Sequence, residues 1–210
     1  MSHYRIAPAT FTGSGRPLGA GDFIWLAALG SATRGATTAG AVCDCIETIA
    51  AGQWSPSPQL VCDCLDEMAR AHHLRFFRRG HDDLFAITPQ GRGILSMMLA
   101  QPMERPGTPL GEVGLRLKLA FLDLAEPEDR RLHLQEIIAI HEKELAARPS
   151  ACTACHSPGC FGRLWSEHRT ETLRREIELL RHMLGLADQQ VSSTGHGCSG
   201  GGLRLNCISN

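Results

Sequence analysis

Trp54-Ser55-Pro56-Ser57-Pro58-Gln59-Leu60-Val61-Cys62-Asp63-Cys64-Leu65-Asp66-Glu67-Met68 is the stretch whose reading decides the fold. Ser57 before Pro58 is a helix start. A hydroxyl side chain accepts from the first free N–H groups, and proline loses nothing in the first turn. Val61, Cys64, Leu65 and Met68 recur at helical spacing and make one apolar stripe. Leu74 to Phe77 and Leu84 to Ile87 read as two short strands around a polar turn, Arg79 to Asp83. Thr88-Pro89 repeats the helix start, and that helix should run to about Leu99. Helix, basic hairpin, helix is the layout of a winged helix-turn-helix.

Working outward, Asp22 is expected to cap a helix through Phe23, Ile24, Leu26, Ala27 and Leu29, with Gly30 to Gly35 as a turn. A second helix should run from about Thr37 to Ala51, with Ala39, Val42, Cys43, Ile46, Ile49 and Ala50 on one face and Gly52 ending it. Gln101 to Pro109, with its prolines and glycine, reads as a linker. Two long helical segments follow. The first covers roughly Leu115 to Ala147, with a break at Glu126-Pro127, where proline can restart a helix. The second covers roughly Leu164 to Leu184, along Leu164, Trp165, His168, Leu173, Ile177, Leu180 and Leu184. The expected organisation is mainly α: a flexible arm (1–20), a winged-helix DNA-binding domain with a small β-hairpin wing (21–100), a helical dimerisation domain (110–186) containing a Cys-rich loop (149–162), and a flexible tail (187–210).

These residues resemble the PadR family of bacterial transcriptional regulators. The family's Trp-x-Pro-Ser-Pro-like approach to its recognition helix is matched by Trp54-Ser55-Pro56-Ser57-Pro58, and its spaced leucines by Leu65, Met68 and Leu74. Its Tyr-x-Leu-Thr-x-x-Gly-Arg exit from the wing is matched by Phe85-Ala86-Ile87-Thr88-Pro89-Gln90-Gly91-Arg92. Leu115 to Leu122 and the helix around Glu176 to Leu180 look like its helical dimerisation domain. The resemblance covers roughly Gly21 to Leu186 and implies a homodimer that binds double-stranded DNA and controls transcription, as a repressor. The chain departs from the family pattern at Gly35-Ala36, at Cys62 in the recognition helix and at His73 before the wing. The Cys cluster in the last interhelical loop is a further departure and implies an added sensory function.

Composition bounds this reading. Hydrophobic residues are 43% and charged residues 20%, ordinary for a globular protein. No apolar run approaches the roughly 20 residues that cross a bilayer. Met1 to Ala20 shows no secretory signal, so no membrane and a cytoplasmic location are expected. Residues 21–100 hold six Arg against eight Asp and Glu, a net of −2. A DNA-binding domain is usually basic, so the local cluster Arg75, Arg78, Arg79 and His81 has to supply phosphate attraction. Ser55, Ser57 and Gln59 are the candidate contacts on and before the recognition helix. The plainer readings are a solvated helix face and an edge strand protected by charge. The acidic residues Asp63, Asp66 and Glu67 keep open an alternative: a metal- or redox-binding adaptor that uses its winged helix for protein contacts.

Nine cysteines are many for a cytosolic chain. Cys152-Thr153-Ala154-Cys155-His156-Ser157-Pro158-Gly159-Cys160 starts with a C-x-x-C pair, which places two thiolates on one tight loop. Cys160 can fold back as a third ligand. His156 adjoins Cys155 and is the poorer ligand, because neighbouring side chains rarely converge on one ion. His168, Cys198, Cys207, a small molecule or a partner subunit could complete the set. Zinc would be structural, an iron–sulfur cluster would sense oxygen, nitric oxide or iron status, and a bare dithiol would be a redox switch. C-x-x-C-H also matches c-type haem attachment, which normally requires export. In Cys43-Asp44-Cys45 and Cys62-Asp63-Cys64 the paired thiols diverge by about 200° on a helix. Cys43 and Cys64 therefore read as core, and Cys45 and Cys62 as exposed. No enzyme is expected. His72-His73 and His141-Glu142 lack a third catalytic partner, and Gly13-x-Gly15 does not sit between a strand and a helix.

Overall fold

The computed structural model describes residues 18–101, 108–148 and 159–194. The protein is mainly α-helical. In chain order it has α1 (Ala20–Arg34), α2 (Ala39–Ala50), α3 (Pro58–Arg70), strands β1 (Leu74–Arg79) and β2 (Asp82–Ile87), α4 (Pro89–Ala100), α5 (Pro109–Phe121), a 3₁₀ turn (Leu122–Leu124), α6 (Pro127–Ala147) and α7 (Cys160–Thr194). Helices α1 to α3, the antiparallel hairpin and α4 make a winged helix. The chain divides into two compact units between Glu126 and Pro127.

Four helix starts use one device. The hydroxyls of Thr38, Ser57, Thr88 and Thr108 accept from the N–H of the residue three positions on, at 3.1, 3.3, 3.0 and 3.0 Å. Each such cap is worth about 1 kcal/mol. Ser57-Pro58 and Thr88-Pro89 start helices as their sequence predicts. Thr108-Pro109, read above as the end of a linker, is a third copy of the same signal and starts α5.

Helix α1 is the centre of the first unit. Phe23 to Leu29 are all buried, and the helix packs against α2, α3, α4, α5 and β2. A helix covered on every side needs no polar stripe. Asp22 caps it from inside the first turn, its carboxylate accepting from Gly19 N–H at 2.8 Å. The turn expected at Gly30 to Gly35 is absent; α1 continues to Arg34. Gly30 is a notch. A Cβ there would lie 2.4 Å from the Phe121 ring, and one on Gly114 would lie 2.7 Å from the Phe23 ring. Each of α1 and α5 thus offers a glycine to a phenylalanine of the other.

That contact places α5 in the first unit, which differs from the 110–186 domain expected from sequence. Further bonds hold it there. Lys118, buried, donates to Gln101 O at 2.5 Å; Arg116 donates to Ala50 O at 3.4 Å; Arg34 donates to Ala120 O and pairs with Asp123, both at 3.1 Å. On α3, Val61, Cys64, Leu65 and Met68 are buried, as their spacing predicts. The hairpin is longer than expected. Arg78 pairs with Asp83 and Arg79 with Asp82, so the turn is Gly80-His81, with Gly80 at φ 64°. Thr37 adds a bridge, exchanging backbone bonds with Phe85 at 2.9 and 2.8 Å and tying the α1–α2 link to the wing.

The second unit is an antiparallel pair. Arg131 bridges Asp188 at 2.9 Å and Arg181 bridges Glu142 at 2.7 Å. Leu134, Ile137 and Ile138 of α6 are buried with Leu173, Ile177, Leu180 and Ala187 of α7. Helix α7 starts and ends beyond the expected Leu164 to Leu184, reaching Thr194 into the supposed tail. Residues 1–17 of the expected arm and 195–210 of the expected tail lie outside the described residues.

Gly30→Ala is expected to lower stability by about 1–3 kcal/mol through overpacking against Phe121, despite better helix propensity. Gly93→Ala, with open space around its Cβ, should raise stability by roughly 0.5–1 kcal/mol. Urea denaturation checks both; a Gly30→Ala protein as stable as wild type would remove the notch from the packing.

Candidate nucleic-acid interface

With its apolar stripe turned inward, α3 presents Gln59, Asp63, Asp66 and Arg70 outward, all exposed. Gln59 Nε2 donates to Asp63 Oδ1 at 2.8 Å. The pair sits one turn apart, so the amide nitrogen is engaged and acceptor oxygens remain for a ligand. Ser57 is exposed, but its hydroxyl oxygen is the helix cap. Ser55 is exposed on the approach, between half-buried Trp54 and buried Pro56. Trp54 anchors that approach, its ring edge-on to Phe23 at 5.9 Å.

Arg75, Arg78, Arg79 and His81 are all exposed. They do not form one cluster, because side chains alternate across a strand. Arg78 shares a face with Leu74 and Phe76; Arg75, Phe77 and Arg79 share the other. Arg78 donates to Asp83 at 2.8 Å, and that carboxylate pushes the guanidinium pKa further up. Its charge is matched within the hairpin, although an exposed pair contributes little to stability. Arg75 lies 5.8 Å over the Phe77 ring. Asp83 as the partner of Arg78 escaped the sequence reading, which placed it in the turn; a two-residue Gly80-His81 turn would have set the two directly opposite. Between α3 and the hairpin runs an open groove of about 530 Å³, lined by Ala39, Cys62, Leu65, Arg70, Phe76 and Phe85 among others.

The cysteines divide. Cys160 is exposed at the first position of α7 rather than in a loop. Cys152, Cys155 and His156 lie outside the described residues, as do Cys198 and Cys207. Among the described residues no three metal-ligating side chains converge. Cys64 is buried, and burial pushes its thiol up to about 11. Cys43, expected in the core, is half-buried, as are Cys45 and Cys62, expected to be exposed. Residues of both pairs, His72-His73 and His141-Glu142, have structural neighbours: the His73 ring lies edge-on to Trp25 at 5.6 Å, His141 Nδ1 is 2.8 Å from Ile137 O, and Glu142 holds Arg181. No described helix is long and apolar enough to cross a membrane.

No protein-family model matches the chain, and no curated protein does. Among solved structures the chain is similar to Bacillus subtilis PadR. The complex of that protein with operator DNA is 16% identical, at a TM-score of 0.36 over 78% of this chain and 98% of the other. Its complex with p-coumaric acid is 16% identical, at a TM-score of 0.36 over 79% and 99%. A further crystal structure of Bacillus subtilis PadR is 15% identical, at a TM-score of 0.37 over 82% and 99%.

Proposed function

We propose that the chain is a DNA-binding transcription regulator acting as a homodimeric repressor. The observation that carries this is the outward face of α3, which starts at Ser57-Pro58 and lies beside a hairpin with exposed Arg75 and Arg79. A major groove admits a helix, and Arg on a flanking hairpin reaches phosphates or a minor groove. The acceptors of Gln59 and Asp63 suit the exocyclic amines of cytosine and adenine. Asp63, Asp66 and exposed Phe76 favour a second reading, in which the same face docks a protein.

The apolar side chains Phe161, Leu164, Trp165, Leu179 and Leu186 are exposed on α7, Phe161 at 83% and Trp165 at 66%. An exposed apolar stripe of this size marks a contact surface, and a second copy of α6 and α7 has the matching chemistry. Cys160 opens α7 directly after the C-x-x-C of Cys152 and Cys155. In this reading the three thiolates hold zinc or an iron–sulfur cluster, with His156 a poorer ligand, and bring redox or gas sensing to the dimer. Covalent haem is not part of it.

Three measurements test these assignments. Arg75→Ala with Arg79→Ala should weaken binding to every duplex and reduce the salt slope by about 2. Asp83→Asn, which releases Arg78, should strengthen binding about two- to fivefold. Unchanged affinity and slope would remove the wing from the interface, and a protein that binds no duplex at all would leave the docking reading. Trp165→Glu with Leu179→Glu should convert a dimer to a folded monomer in sedimentation; an unaltered dimer would move the interface elsewhere. Anaerobically purified protein should carry iron and sulfide or zinc, lost in Cys160→Ser and kept in Cys64→Ala. Less than about a tenth of an equivalent of metal in the wild type sinks the metal assignment.

A further inference from the structure

Four cysteines in the first unit are not used by the DNA reading: Cys43 and Cys45 on α2, Cys62 and Cys64 on α3. Residues two apart on a helix diverge by about 200°, so each stretch sends its thiols to different surroundings. Cys45 faces α1, where the Ser31 hydroxyl lies 3.5 Å from its sulfur. Cys64 belongs to the buried stripe of α3. The other two meet. Cys62 lines the open groove together with Ala39, and Cys43 follows Ala39 by one turn on the same side of α2. Helices α2 and α3 pack directly on each other. A charge on Cys62 is felt at Cys43 and opposes its ionisation.

We propose that Cys43 and Cys62 form a redox-active dithiol that closes to an intrachain disulfide under a peroxide-class oxidant, tying α2 to α3. It is separate from the thiols of Cys152, Cys155 and Cys160 and needs neither a metal nor DNA.

The order of events follows from access. The Cys62 sulfur borders an open groove, whereas burial, followed by the neighbouring Cys62, holds the Cys43 thiol above its ordinary pKa. Thiolate is the nucleophile. The Cys62 thiol loses its proton, and its sulfur attacks one oxygen of hydrogen peroxide. The O–O bond breaks, a sulfenic acid forms, and the departing hydroxide takes up the proton as water. The Cys43 sulfur then attacks the sulfenyl sulfur. The S–O bond breaks, the S–S bond forms, and the leaving hydroxide takes the Cys43 proton as a second water. Two thiols and one peroxide become one disulfide and two waters.

The test uses the full chain. Protein treated with graded hydrogen peroxide is alkylated at its remaining thiols and digested after glutamate, which separates the two helices at Glu47. Mass spectrometry should find a peptide containing Cys43 linked to one containing Cys62, two hydrogens lighter than their sum and released by dithiothreitol. Fragmentation between Cys43 and Cys45, and between Cys62 and Cys64, assigns the bonded sulfurs in the wild-type protein, so the result does not depend on a variant folding. The link should persist in Cys45→Ser and vanish in Cys62→Ser. Absence of any linked pair at peroxide levels that oxidise the exposed Cys160 overturns the proposal, and so does a link through Cys45 or Cys64.

Discussion

Two phenylalanine rings seated over two glycines hold the first unit together. Phe121 covers Gly30 and Phe23 covers Gly114, so α1 and α5 approach closely enough for neither glycine to accept a Cβ. Burying each ring contributes about 1.5–3 kcal/mol, and the contact fixes α1 as a platform. Helices α2, α3 and α4 and strand β2 all rest on that platform. The outward face of α3 therefore depends on a packing contact made on other elements. Lys118 and Arg116 reinforce it from α5 by reaching the carbonyls of Gln101 and Ala50.

The hairpin shows how a charge count misleads. The first unit's described helices and wing carry no large positive surplus, and one wing cation is already matched by Asp83. Strand alternation separates Arg78 from Arg75 and Arg79, so the latter pair present their charge on the face opposite Arg78. Exposed charges are screened over about 8–10 Å at physiological salt. Placement of these few side chains, more than the net charge of the chain, therefore sets where the wing is positive.

The second unit has apolar surface to spare. Helix α7 has 35 residues against 21 in α6, and its buried residues begin at Leu173. Phe161, Leu164 and Trp165 precede that contact and are exposed, and Leu179 and Leu186 extend apolar surface along the helix. A helix with apolar residues both toward and away from its neighbour is built for more than one contact.

What the amino-acid sequence determined by itself was local. Ser57-Pro58 and Thr88-Pro89 start helices because a cap and a fixed proline φ act within one turn. The stripe Val61, Cys64, Leu65 and Met68 needs only helical period, and the restart at Pro127 only the absence of an N–H. Thr108-Pro109 carried the same signal but stood among prolines and a glycine that read as linker. Tertiary structure decided the rest. Gly30 is a helix interior because Phe121, far along the chain, fills the space its missing Cβ leaves. The allegiance of α5, the bridge of Thr37 to Phe85 and the packing of α2 on α3 likewise join residues distant in sequence. Periodicity states which face of an element is apolar; it does not state which other element that face will meet.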